Sequence, residues 1–309
     1  IDLDYLAKSN IDCCNAAGCN AEAASEYVVS GLFALAQRKG FDPFQLKAGI
    51  VGFGNVGSRL YQKLDTRGIE SLVCEPPLQE AGTTGPAFVD LDTILRECNF
   101  ISLHVPLTST GKHPTLHLLD ADRLQRVSDG CLLVNAARGE VVDNQALLNV
   151  LKQRDDLLVF LDTWENEPNP LRELLLRVDL ATPHIAGYSI EGRLRGTQMV
   201  LDAACAYFEI PSAWHMSQQL PPDQDLILQP ADSTALAWHD LFYQHFDIWR
   251  DHQALTAGSH LDEASFARHF DALRRVYPDR LEYERFIVQQ QDSGVPAEVI
   301  QQLGFQTGG

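Results

Sequence analysis

The strongest constraint in this chain is the run Gly52-Phe53-Gly54-Asn55-Val56-Gly57. It follows a short apolar segment, Lys47 to Val51, and leads into Val56, Leu60 and Leu64 at helical spacing, so the glycines fall between a strand and a helix. In that setting Gly52 makes the tight turn, Gly54 leaves room for a pyrophosphate, and Gly57 lets the helix lie close to the strand. The N–H groups of Asn55, Val56 and Gly57 at the helix start would receive the anion. A glycine run alone is also compatible with an ordinary turn. The next strand candidate, Ser71 to Cys74, ends in Glu75, about 20 residues beyond the glycines, where a carboxylate accepts both ribose hydroxyls. An acid there favours NAD, because it would repel a 2′-phosphate. The competing reading of Glu75 is a solvated acid at a strand end.

Further short apolar runs recur at Gly49 to Val51, Phe100 to His104, Cys131 to Val134, Leu158 to Leu161 and Leu180 to Thr182. Helical stretches separate most of them, including Leu91 to Glu97, Ala121 to Val127 and Asn144 to Leu151. Continuous apolar strands alternating with helices predict an α/β fold with a doubly wound parallel sheet of the Rossmann type. Glu22 to Gln37 predicts a helix that enters this lobe from another one, through the linker Gly40-Phe41-Asp42-Pro43. A second long helix is expected from Ile190 to about Phe208, followed by an extended linker from Pro211 to Pro230. Beyond it, Leu236 to Trp249 carries Trp238, Leu241, Phe242, His245 and Trp249 at helical spacing, and Asp262 to Tyr277 and Leu281 to Gln289 complete a separate module.

A net charge of −18 argues against nucleic acid or an anionic membrane as the main partner, and an anionic substrate would have to be held by local arginines. The chain has 45% hydrophobic residues over 309 positions, enough for a large core in two or more lobes. No apolar run reaches the ~18 residues of a membrane span, and no charged-then-apolar leader opens the chain. The seven cysteines, several within apolar runs, read as buried free thiols of a reducing, cytoplasmic compartment. Cys13, Cys14 and Cys19 have no neighbouring histidine to complete a zinc set, so no metal is expected.

Sites of open parallel sheets lie beyond the carboxyl ends of the strands, and Arg138, Glu167 and His184 all fall at or shortly after such ends. Oxidation of a secondary alcohol needs a base for the hydroxyl proton, which suits His184. A carboxylate beside it, Glu167, would orient the imidazole and raise its pKa. Arg138 would grip a substrate carboxylate. Each has a plainer alternative: a surface arginine in a turn, a loop acid, a satisfied histidine after a strand. His104, the rival histidine, reads as a structural or nucleotide-loop residue.

Five stretches together carry a resemblance: Gly52 to Gly57, His104-Val105-Pro106-Leu107, Asn135-Ala136-Ala137-Arg138-Gly139, Asp162-Thr163-Trp164-Glu165-Asn166-Glu167-Pro168, and Thr182-Pro183-His184-Ile185-Ala186-Gly187. In order and spacing they resemble the D-isomer-specific 2-hydroxyacid dehydrogenases throughout the nucleotide lobe. The segment Asn15 to Ala21, the run His117-Leu118-Leu119, Trp164, and Gly187 to Arg193 are most similar to the branch that acts on a phosphorylated four-carbon hydroxy acid and carries an added C-terminal dimerisation domain. The resemblance implies catalysis by Arg138, Glu167 and His184. It implies NAD contacts at Gly54, Asn55, Val56, Gly57, Glu75, Val105, Asp162 and Gly187, and substrate contacts at Tyr188 and Arg138. The family position of Glu75 is usually Asp. The resemblance also implies that residues 1–20 are the remnant of a flavodoxin-like substrate lobe lacking about 70 residues and its phosphate contacts, which would leave this chain poorly active. Residues 21–209 would be the NAD-binding domain with flanking crossover helices, and 210–309 a C-terminal α+β dimerisation domain making a homodimer. Alternatives are a dehydrogenase of another D-2-hydroxy acid, such as phosphoglycerate or glycerate, and a non-catalytic NADH-sensing protein.

Overall fold

The structure, a computed structural model, describes residues 1–228, 234–290 and 295–308. Pro230, the expected end of the linker, and residues 291–294 and 309 of the C-terminal module lie outside the described residues.

Six parallel strands form the central sheet: β1 (Ala48–Val51), β2 (Ser71–Cys74), β3 (Phe100–Leu103), β4 (Leu132–Asn135), β5 (Leu158–Leu161) and β6 (Leu180–Ala181), in the order β2-β1-β3-β4-β5-β6. β1, β3 and β4 are buried along their whole length, which is why they read as unbroken apolar runs rather than as alternating ones. Beyond β2 a single parallel bridge joins Val73 to Phe88, so the sheet's outer edge is finished by one residue that no sequence pattern marks as a strand. The strand order reverses between β1 and β3, and their carboxyl ends open a crevice there, the position where such sheets bind ligands.

The helices are α1 (Leu3–Lys8), α2 (Ala21–Lys39), α3 (Asn55–Thr66), α4 (Pro76–Glu80), α5 (Leu91–Glu97), α6 (Ala121–Gln125), α7 (Asn144–Leu151), α8 (Arg172–Leu175) and α9 (Ile190–Tyr207). Several start where an aspartate accepts an N–H of the first turn, as Asp90 does from Thr93 and Asp143 from Ala146. α1 buries none of its residues, and Cys13 and Cys14 beside it are exposed, which corrects the expectation of buried thiols there. Cys74, Cys98, Cys131 and Cys205 are buried, and all seven cysteines are free.

The C-terminal module adds β7 (Gln224–Leu228), β8 (Phe286–Gln290) and β9 (Gln306–Thr307) in a parallel sheet, with α10 (Thr234–His245), α11 (Ile248–Ala257), α12 (Glu263–Arg275) and α13 (Ala297–Gln302). Two expectations are corrected. The proline-rich segment contains β7, because Leu226 packs into the core while Asp225 and Ile227 on either side of it face outward. The run Leu236 to Trp249 is two helices, broken where Asp247 accepts the Trp249 N–H and starts α11.

The aromatic stripe is not an open face. Trp238 and Phe242 are buried, and Phe242 packs on Phe33 of α2 (centroids 5.0 Å apart) as well as on Tyr283 of its own module. The His245 imidazole N–H donates to the Leu281 carbonyl (2.7 Å), and Trp249 lies under the Arg38 guanidinium. α2 is therefore buried on nearly every side, with Tyr27 against Phe160 of the large sheet and Phe33 against the C-terminal module. It is the shared core helix of both units rather than only an entry from another lobe. Buried polar contacts reinforce the join: Arg195 pairs with Glu282 (2.7 Å), Ser189 donates to Glu282 (2.8 Å), and the Tyr283 N–H donates to Glu26 (3.0 Å).

Candidate active site

At the end of β1, Gly52 holds a φ of +98°, and a Cβ there would stand 2.6 Å from the His104 carbonyl. A Cβ on Gly57 would overlap the Gly52 carbonyl oxygen at 1.9 Å, so α3 starts as close to β1 as backbone allows. At Gly54 a Cβ would meet nothing within 4 Å, which is open space beside the first N–H groups of α3, borne by Asn55, Val56 and Gly57. Glu75 follows β2, and its Oε2 accepts the Phe53 N–H (2.6 Å), which fixes the carboxylate against the glycine loop. A cavity of about 830 Å³ begins here, lined by Val51, Glu75, Val105, Leu118 and the 112–117 loop. Its size and its apolar walls, with Glu75 held at the glycine loop and Asp90 and Asp120 also in the lining, fit an adenosine end. Gly187, on the far side of the crevice, packs against the Asn20 side chain.

His184 and Glu167 are in direct contact, with His184 Nδ1 2.7 Å from Glu167 Oε2. The other carboxylate oxygen accepts the Trp164 N–H (2.9 Å), so Glu167 cannot swing away. A carboxylate beside Nδ1 holds the proton on that nitrogen and leaves Nε2 unprotonated in the neutral ring. Burial by itself would push the imidazole pKa down, but the Glu167 hydrogen bond and the negative charges of Asp162 and Glu167 outweigh it, and the net direction is up.

The loop carrying His184 is tightly pinned. Its φ is +57°, a left-handed conformation that costs a non-glycine residue on the order of 1–3 kcal/mol unless the surroundings impose it. Asp162 imposes it. The buried carboxylate accepts from Thr182 Oγ1 (2.7 Å), the Ile185 N–H (2.9 Å) and the Ala186 N–H (2.9 Å), and the Asp162 carbonyl accepts the His184 N–H (2.7 Å). Trp164 Nε1–H donates to the Thr182 carbonyl (2.9 Å), tying the Glu167 segment to the same loop.

Arg138 lies beyond β4 in a turn shaped by buried Asn135, whose side chain accepts from the Ala137 N–H (3.1 Å) and donates to the Arg138 carbonyl (2.9 Å). A Cβ on Gly139 would sit 1.9 Å from the Trp164 carbonyl carbon, so this turn lies directly on the strand end that leads to Glu167. Arg138 itself is exposed and donates to the Ala137 carbonyl (2.6 Å). The structure thus brings His184 and Glu167 into contact and puts the Arg138 turn beside them. His104 is held by Ser102 (2.8 Å), and burial pushes its pKa down to about 4, which keeps it neutral and suits the structural reading.

Sequence reasoning missed the reach of the C-terminal module. Buried Arg280 donates to the Ala186 carbonyl (2.5 Å), and the Ile190 N–H donates to the Arg280 carbonyl (2.9 Å). Tyr277 packs edge-on against Tyr188 at 6.0 Å. The segment Ala186 to Ile190 is therefore braced from behind by residues nearly a hundred positions away, which no local pattern could signal. Among the described residues no group of His, Cys, Asp and Glu could hold a metal ion, and no helix is long and apolar enough to cross a membrane.

A parallel sheet with a glycine-rich turn at its switch point and an acid–imidazole pair at its strand ends defines an NAD-dependent dehydrogenase of the Rossmann type. The chain belongs to the D-isomer specific 2-hydroxyacid dehydrogenase family, whose NAD binding domain matches residues 16–186. It is 41% identical to the erythronate-4-phosphate dehydrogenase of Chromohalobacter salexigens over 309 residues, 99% of this chain and 80% of that protein. The enzyme of the same name from Pseudomonas aeruginosa is 42% identical over 308 residues, 99% of this chain and 81% of its own. Among solved structures it resembles 3-phosphoglycerate dehydrogenase of Entamoeba histolytica with bound NAD+ (TM-score 0.56, 25% identity, 68% of each chain covered). It also resembles a glyoxylate reductase from Paecilomyes thermophila (TM-score 0.56, 26% identity, 68% of this chain and 69% of that one).

Proposed function

We propose that the chain oxidises 4-phospho-D-erythronate at C2 with NAD, giving (R)-3-hydroxy-2-oxo-4-phosphooxybutanoate, NADH and a proton, a step toward pyridoxal 5′-phosphate. The observation that carries the reading is the 2.7 Å contact between His184 and Glu167 at the strand ends of an NAD-binding domain, in a chain 41% identical to erythronate-4-phosphate dehydrogenases. Steady-state assay of NADH formation with phosphorylated and unphosphorylated D-2-hydroxy acids tests it. Preference for phosphoglycerate or glycerate would replace the substrate, and NADH binding without turnover would favour a sensor.

In this reading Gly54 and the N–H groups of Asn55, Val56 and Gly57 hold the pyrophosphate, Glu75 the ribose, and Val105, Asp162 and Gly187 line the rest of the cofactor's path. NAD, when bound there, would supply the acceptor for the hydride that leaves C2. His184 Nε2 takes the C2 hydroxyl proton, and Glu167 stabilises the imidazolium that results. Arg138 grips the carboxylate of the hydroxy acid, and Tyr188 contacts the substrate. Asp162 also has a structural task, since both its oxygens already hold the His184 loop.

Two outcomes follow from these roles. Replacing Glu75 with Ala or Gln should weaken NAD about tenfold and relax discrimination against NADP, the size of one lost charged hydrogen bond. Fluorescence titration with NADH and NADPH checks it, and unchanged affinities for both would remove Glu75 from the ribose site. Glu167→Gln removes a negative charge and a carboxylate acceptor that raise the His184 pKa, so neutral imidazole should persist to lower pH. The rising limb of the oxidation rate against pH should move to lower pH, and a shift upward would contradict the pairing.

Residues 210–309 we assign as a dimerisation domain making a homodimer, in a cytoplasmic enzyme whose free thiols suit a reducing compartment. Because Trp238 and Phe242 are buried within their own chain, other residues must form the pairing surface. Sedimentation of the intact protein reads the oligomeric state directly.

A further inference from the structure

Arg274 stands on the last turn of α12, in the module that follows the nucleotide lobe. Its guanidinium carbon lies 5.8 Å from the centre of the Tyr188 ring. The side chain is half-buried, its Nε is shut off from solvent, and it forms no hydrogen bond or ion pair among the described residues. Several other arginines are matched, Arg195 with Glu282, Arg154 with Asp156 and Arg193 with Asp279, whereas Arg67, also without a partner on Nε, is covered by the Phe44 and Trp238 rings. Withdrawing a guanidinium N–H from water without a partner is unfavourable, so an unmatched cation kept at one place asks for an anion from outside the chain.

The surroundings keep it there. Tyr277, three positions on, packs on Tyr188 and donates its hydroxyl to Asp251 (2.9 Å), and Arg280 holds the Ala186 carbonyl. The end of α12 is thereby fastened to the loop that carries His184 and Tyr188. The Arg274 charge also reaches the imidazole, where it opposes protonation. In a chain of net charge −18, an unpaired guanidinium above a substrate-side tyrosine and within electrostatic reach of the catalytic base is a local exception to the field.

We propose that Arg274 is a substrate-binding residue that takes the phosphate of the phosphorylated hydroxy acid. The proposal rests on the dehydrogenase reading above. The carboxylate is bonded to C2 itself and belongs to Arg138, whereas the phosphate sits on the fourth carbon and needs a donor displaced from the reacting centre. A guanidinium offers the planar fork that phosphate oxygens accept.

The test compares Arg274→Gln and Arg274→Lys with Arg275→Gln, a control at the exposed neighbouring position. NADH titration and thermal melting first establish that each variant is folded. With 4-phospho-D-erythronate, Arg274→Gln should raise KM about 10–100-fold with a smaller change in kcat, the range of a lost charged hydrogen bond. Arg274→Lys should recover part of this, and the control none of the loss. With unphosphorylated D-erythronate the variant and the parent should be alike, and competitive inhibition by inorganic phosphate should weaken in step. The rising pH limb should also move to higher pH, opposite to Glu167→Gln, since the Arg274 charge that opposes protonation of His184 is gone while Glu167 and Asp162, which favour it, stay.

An equal loss on both substrates would assign Arg274 to the carboxylate and overturn the proposal, as would wild-type kinetics in Arg274→Gln. If the parent protein oxidised no hydroxy acid, the dehydrogenase reading would fall on its own account. Calorimetric titration of the NADH complex with inorganic phosphate would still decide Arg274: binding lost in Arg274→Gln supports it, and binding unchanged overturns it.

Discussion

His184→Ala should lower kcat by roughly 10²–10⁴-fold while NAD affinity survives, because removing a positioned general base usually costs that much. The expectation follows from which atoms are spoken for. Nδ1 is committed to Glu167, whose second oxygen is held by the Trp164 N–H, so Nε2 is the nitrogen left for a substrate hydroxyl. The glycine loop and Glu75 lie on the other side of the crevice and lose nothing when the ring is removed. His184 sits in the left-handed region, where alanine is strained by about 1–2 kcal/mol and asparagine is better tolerated. His184→Asn is therefore the companion variant, expected to match the catalytic loss with less effect on the melting temperature. Single-turnover formation of NADH separates the chemical step from product release. A loss under tenfold in both variants would take His184 out of the chemistry.

The largest effect on stability is expected at Phe242. Its ring is buried between Phe33, Trp238, Tyr283 and Phe305, so Phe242→Ala removes a hub that joins the C-terminal module to α2. The expected cost is about 3–5 kcal/mol, the usual range for Phe→Ala in a core, against a total stability on the order of 5–15 kcal/mol. Chemical denaturation with NADH present and absent checks it, and a change below about 1 kcal/mol would mean that the two units do not share a core. The same packing changes what truncation can report. Deletion from Pro221 onward would expose Tyr27, Phe33 and the buried carboxylate of Glu26, whose pKa burial already holds well above its ordinary value. Such a protein should aggregate or melt early rather than yield a clean NADH-binding monomer, so oligomeric state is better probed by surface substitutions in the intact chain.

The nucleotide lobe was legible because its signals are local. A glycine run between a strand and a helix needs only neighbouring residues to be recognised, and buried parallel strands are apolar along their whole length. Strand limits came within a residue: Leu132–Asn135 where Cys131 to Val134 was expected, and Phe100–Leu103 where His104 was included. The triad candidates were legible for a related reason, since a position just past a strand's carboxyl end is fixed by the topology of the sheet.

The C-terminal module was not legible in the same way. Aromatic residues at helical spacing have the same sequence pattern whether they meet their own chain or a second copy, and only the fold put Phe242 on Phe33. Pro and Gln around Leu226 hid β7, because a strand of a small, partly exposed sheet lacks the continuous apolar run. Asp162, Trp164 and Arg280 likewise acquire their tasks through hydrogen bonds to loops that are remote in sequence, and Arg274 meets Tyr188 across 86 positions. Short-range pattern was enough for the Rossmann sheet, the glycine turn and the two candidate residues, Glu167 and His184, that meet at its strand ends. How the His184 loop is held, what the aromatic stripe covers and which distant residues brace that loop came from the folded chain alone, because these depend on packing between segments whose separation along the chain carries no periodic signal.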